Sequence, residues 1–126
     1  MSDQLRALGA STLERVAAIC GGLPECEIAG GEHHKLTVRT KTMGWHTVDH
    51  HGDGRVDLTI KAAKGENEAL VAADPERFFL PPYVAHHGYV GYHLDTDDVD
   101  WDEVAELITD AWRLAAPKSL AKQLDT

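Results

Sequence analysis

Cysteine is scarce in this chain, and so is positive charge. The 126 residues hold two cysteines, Cys20 and Cys26, whose spacing matches neither a CxxC redox pair nor a zinc knuckle. Cys20 then reads as a small buried hydrophobe on a helix face, and Cys26 as a strand residue. Lysine and arginine number 12 against 21 aspartates and glutamates, for a net charge of −9. Such an excess disfavours non-specific attraction to phosphate, because nucleic-acid binding draws its affinity from clustered cations that release counterions. No segment approaches the ~20 apolar residues of a membrane span. Met1 to Ala10 carries a lone Arg6 and no sustained apolar stretch, so no targeting signal is legible and a cytoplasmic protein is expected.

Catalytic signatures are absent as well. No serine or cysteine stands in a strained, glycine-framed turn; Ser2, Ser11 and Ser119 lie at predicted helix ends. Gly88-Tyr89-Val90-Gly91 has neither the spacing of a dinucleotide loop nor a following helix. A non-enzymatic protein without a cofactor is expected.

What is present suffices for one domain spanning 1–126, long enough to bury a core without disulfide or metal staples. Ser11-Thr12-Leu13-Glu14 reads as a capping box opening a helix, with Leu13, Val16, Ala17 and Cys20 at helical spacing until Gly21-Gly22 and Pro24 stop it. Glu25 to Gly30 reads as a short strand. Leu36 and Val38 alternate with Lys35, Thr37 and Arg39, Met43 to His50 continues extended, and Val56, Leu58 and Ile60 alternate with Asp57, Thr59 and Lys61. His51-Gly52-Asp53-Gly54 supplies the hairpin turn between the last two. A short helix from Gly65 to Ala73, with Ala69, Leu70 and Ala73 on one side, ends at Asp74-Pro75. A strand follows from Tyr89 to Leu94, and Asp100 then caps a helix whose core stripe is Trp101, Val104, Leu107, Ile108, Ala111 and Ala115. The class is α+β: two layers, a mostly antiparallel sheet covered by helices on one face.

Six of the eight histidines fall in the pairs His33-His34, His50-His51 and His86-His87. Imidazoles in numbers suggest zinc or iron, yet each pair sits beside glycine in or near a turn, neighbours on a strand point oppositely, and no HExxH arrangement occurs. Asp95 to Asp110 holds eight acidic residues in sixteen, without the DxDxDG pattern of an EF-hand. Four or five of these carboxylates read as complements to a helix N-terminus and as a solvated face. No metal ligand is assigned. The one region suited to anions is Lys35 to Lys64, where six basic residues meet three acidic ones for a local charge of +3.

The segment ADPERFFLPPYVAHHGYVGYHL from Ala73 to Leu94 constrains the backbone over its whole length. Pro81-Pro82 forces an extended stretch without backbone donors, and Gly88 and Gly91 bracket a strand. Upstream stand a Lys41-Thr42-Met43 strand and the turn HHGDGR at His50 to Arg55; downstream stand Asp110-Ala111-Trp112-Arg113-Leu114 and Ala116-Pro117-Lys118. In that order, from about Thr12 to Leu124, the chain resembles the MmcQ/YjbR family, whose fold is similar to that of CyaY and frataxin. The resemblance implies a CyaY-like sheet-and-helix fold and a DNA-binding role. Its phosphate contacts would fall on Lys35, Arg39, Lys41 and Arg55, with the HHGDG turn as a wing. Weak binding of double-stranded DNA by a monomer is the first expectation. A metal-handling protein using the histidines and the acidic helix is the second, and a small-ligand or protein-interaction domain the third. A contiguous positive sheet face favours the first, convergent His, Asp and Glu side chains the second, and a deep aromatic cleft the third.

Overall fold

The computed structural model describes residues 1–125. Its first helix, α1 (Asp3–Gly21), begins eight residues before the Ser11 box. Ser2 is the cap, accepting a hydrogen bond from the Leu5 amide. Ser11 lies mid-helix and its hydroxyl donates back to the Leu8 carbonyl, the usual fate of a serine inside a helix. The S-T-L-E pattern is thus a helix-interior sequence that mimics a start.

Six strands follow: β1 (Cys26–Ala29), β2 (His34–Val38), β3 (Lys41–Val48), β4 (Val56–Lys61), β5 (Phe78–Phe79) and β6 (Tyr89–His93). They form one antiparallel sheet in the order β1-β2-β3-β4-β6-β5. β2 and β3 meet through Arg39 and Thr40, whose φ of 45° and 71° are what a two-residue primed turn demands. The short β5 was not legible beforehand, since two residues carry no alternation. Helix α2 (Glu66–Ala73) buries Asn67 and half-buries Leu70 and Val71, while Ala69 and Ala73 are exposed, so the inward side differs from the expected one. Helix α3 (Trp101–Ala115) starts at Asp100, whose carboxylate accepts from the Asp102 and Glu103 amides. A last helix, α4 (Lys118–Leu124), restarts the chain after Pro117 and tucks Leu120 into the core.

Helices α1 and α3 cover one face. Against them the sheet presents Leu36, Val38, Met43, Leu58, Ile60, Val90 and Tyr92, which with Val16, Val104, Ile108 and Trp112 make the core. Trp112 is fully buried and its indole N–H donates to the Pro24 carbonyl. Trp101 and Leu107 sit at the flank of the α3 stripe, half-buried, and Trp101 lies under the Arg15 guanidinium. His46 is buried on this same side. Thr12 Oγ1 donates to the Leu8 carbonyl at 2.8 Å, so its one proton is used and His46 Nε2, 2.9 Å away, must be the donor to it. His46 Nδ1 is left as an unprotonated, buried nitrogen without a partner. Among the described residues no helix is long and apolar enough to cross a membrane.

Candidate functional site

The other face of the sheet has no α1 or α3 against it, and alternation determines which side chains it shows. Cross-strand register lines them into two rows. One runs Lys35, Trp45, Thr59, Gly91, Phe79; the other runs Thr47, Asp57, His93. β5 divides its two phenylalanines between the faces: Phe78 enters the core and Phe79 lies over the open side, where the missing side chain of Gly91 leaves room for its ring. A Cβ at Gly91 would collide with that ring. Phe79 also stacks on the His93 imidazole, with centroids 4.7 Å apart and planes 18° apart. Next to the floor, Trp45 packs at 5.3 Å against Tyr89, whose ring carries the Lys61 ammonium at 5.6 Å.

Two segments raise walls over this floor. The first is the strap after β5, in which Pro81 is buried and Tyr83 is 84% exposed at a φ of 70°. Asn67 ties the strap down: its amide donates to the Ala85 and Tyr89 carbonyls, while its side-chain oxygen accepts from the Glu68 amide. The second is the β3–β4 loop, a 3₁₀ turn over His50–Gly52 with Asp49 and His51 also at positive φ. Asp49 accepts from the Gly54 amide and Asp53 from the Arg55 amide, so side-chain caps order this loop together with its glycines. This loop, which the resemblance offers as a wing for DNA, walls a cleft.

That cleft has a volume of about 430 Å³ and is lined by Trp45, Thr47, Asp57, Thr59 and Phe79 below, and by His33, His50, His51, Asp53 and Pro81 to Val84 at the sides. Its size lies in the range of small-molecule sites. Asp57 is 5% exposed, and His93 Nδ1 lies 2.7 Å from its Oδ1. An ionised carboxylate only accepts, so the ring nitrogen carries the proton. Burial raises the Asp57 carboxyl above its ordinary value, against the opposing pull of His93. At the rim, His33 Nε2 and His50 Nδ1 are 2.7 Å apart, which requires one of the two nitrogens to be unprotonated. Burial, aided by the neighbouring His51 and His33, holds His50 below its ordinary value.

The basic residues expected to meet phosphate are divided. Lys35 is exposed beside Trp45 on the open face, and Lys41 is exposed at the start of β3. Arg39, in the β2–β3 turn, is held by Glu25 through Nε and Nη2 at 2.9 to 3.2 Å. Arg55 stands at the opposite end of the sheet, roughly 25 Å away by the rise of eight strand residues. It clasps Asp95 through Nε at 2.7 Å and Nη2 at 2.8 Å. Burial works to raise Asp95, yet Arg55 and the Val56 amide together hold it below its ordinary value. The four cations therefore do not form one patch.

The acidic stretch is likewise spoken for in part. Arg77 sits among Asp74, Asp98 and Glu103 at 3.3 to 3.5 Å. Among the described residues no group of three or more His, Cys, Asp or Glu side chains stands where it could hold a metal ion. Cys20 is buried and Cys26 half-buried, both as thiols. Sequence reasoning missed Asp57 and His93 as a pair. The available signal was an aspartate at an outward strand position between Val56 and Leu58, but its partner depended on the β4–β6 register, which the intervening α2 and strap conceal.

The fold is thus that of a two-layer α+β protein with a cleft on its open sheet face, lined by aromatic rings and floored in part by a carboxylate. The model of the YjbR family matches residues 22–114, and the chain belongs to that family. Uncharacterised proteins of Mycobacterium tuberculosis and Mycobacterium bovis are each 29% identical to it over 126 residues, covering 89% of this chain and 94% of the relative. The crystal structure of a Deinococcus radiodurans protein with a DUF419 domain superposes with a TM-score of 0.70 at 18% identity, covering 90% of this chain and 87% of that one. At that identity the likeness speaks for the fold alone.

Proposed function

We propose that this protein is a small-molecule binding module whose site is the cleft between the open sheet face and the Pro81–Val84 strap. The observation that carries the reading is the buried Asp57 on a floor it shares with Trp45, Phe79 and the two threonines Thr47 and Thr59: a few polar groups set among apolar ones are how ligand sites fix orientation. The proposal is one of binding without turnover. Among the described residues no serine, cysteine or lysine lines the cleft, and the Thr47 hydroxyl points to the Asp57 carbonyl at 3.5 Å. Saturation-transfer NMR with a library of small aromatic compounds tests it. Hits on the wild type that are lost in Trp45→Ala support the cleft, and hits that persist equally in both place binding elsewhere.

Duplex DNA is the second reading, supported by the exposed Lys35 and Lys41. With Arg39 and Arg55 each held by a carboxylate, few phosphate contacts remain, so the affinity expected is micromolar or weaker with a shallow salt slope. Fluorescence anisotropy on the wild type and on a variant with Lys35, Arg39, Lys41 and Arg55 all changed to alanine decides it. Absence of binding at low salt removes this reading.

A further inference from the structure

We propose that the cleft takes a flat aromatic ring bearing a protonated amine, with Asp57 as the counter-charge. The inference rests on the cleft being a ligand site and specifies the ligand's class from the lining. Among the described residues the formal charges that line the cleft are both negative, Asp53 at the rim and Asp57 on the floor, and no lysine or arginine lines it. Trp45, Phe79 and Tyr83 contribute aromatic rings to the lining, and such rings attract cations as well as apolar surface. Asp57 offers two oxygens and about four acceptor sites, of which His93 takes one at Oδ1. An ammonium reaching the second oxygen would complete a charge pair inside low-dielectric walls, where such a pair is worth more than in water. The rim histidines do not oppose it as a charged pair, since the 2.7 Å contact of His33 with His50 requires an unprotonated nitrogen on one of them. An aromatic carboxylate, by contrast, would meet Asp57 and Asp53 with like charge.

The test uses three probes of one shape: 1-naphthylmethylammonium, 1-naphthalenemethanol and 1-naphthoate, titrated by calorimetry into the intact protein at pH 7.5. The cation is expected to bind about tenfold or more tighter than the alcohol, one well-placed charge pair's worth, and the carboxylate weakest. In Asp57→Asn the cation should fall to the level of the alcohol while the alcohol is unchanged. If the variant does not fold, the order of the three probes on the wild type decides alone. Alcohol binding with no preference for the cation, or a preference for the carboxylate, overturns the charge assignment and leaves the cleft standing. Failure of all three probes to bind overturns both.

Discussion

Asp57 and His93 are register partners on adjacent strands, and the imidazole Nδ1 meets the carboxylate at 2.7 Å on the open face of the sheet. Asp57 is buried and His93 half-buried, with the Phe79 ring stacked on the imidazole. Because burial raises the Asp57 carboxyl, the folded state holds this proton more tightly than the unfolded chain does. Its contribution therefore favours folding below the ordinary aspartate range and is lost as pH rises through the folded value. The stability difference between wild type and Asp57→Asn, followed by urea melts, should shift against the wild type as pH rises above the ordinary aspartate range. A shift in the opposite direction would mean that His93 dominates burial.

His46 has the opposite linkage. Burial, with His34 and His33 nearby, holds it down to about 4 from an ordinary value of 6.5. The unfolded chain takes up this proton first, so the stability His46 contributes is present above pH 6.5 and drains away toward pH 4. The loss is on the order of 3 kcal/mol at its limit, at 1.36 kcal/mol per pKa unit. A His46→Gln variant should show a flatter melting temperature across that window; an unchanged slope would remove His46 as its source.

The core of α3 rests on Trp112 more than on Leu107. Trp112 is fully buried and its indole N–H is spent on the Pro24 carbonyl, so Trp112→Ala should cost about 3 to 5 kcal/mol. Leu107 is half-buried at the flank, and Leu107→Ala should cost roughly 1 kcal/mol. Denaturant melts of the two variants should differ clearly, and equal losses would contradict the orientation of the helix.

Gly91 is required by Phe79 rather than by backbone conformation. Gly91→Ala should push the ring off the floor, cost about 1 to 3 kcal/mol as an overpacked site, and open the Asp57–His93 pair to water. Thermal melts and the His93 ring resonances of the variant report the two effects; a variant as stable as wild type, with unchanged resonances, would contradict the packing.

The sheet's inner face was legible because alternation in Leu36–Val38, Val56–Ile60 and Val90–Leu94 reports burial directly. The start of α1 was not, since Ser2 and Ser11 both look like caps and the tertiary context decides between them. The cleft was legible only in fragments. The prolines and paired histidines marked the strap and loop, but which floor they overhang follows from strand order, and a β5 of two residues leaves almost no pattern. The basic patch looked continuous because its members are close in sequence. The length of β3 carries Arg39 and Lys41 to one end of the sheet and Arg55 to the other.

Amide and indole chemical-shift mapping of the isotope-labelled protein, as small aromatic compounds are added, decides whether the cleft on the open sheet face binds ligand. Shifts are expected to centre on the Trp45 indole and on Thr47, Asp57, Thr59 and Phe79, with the strap residues Tyr83 and Val84 following. Shifts confined to the helical face or to the Arg39 turn, or none at millimolar compound, would contradict binding in the cleft.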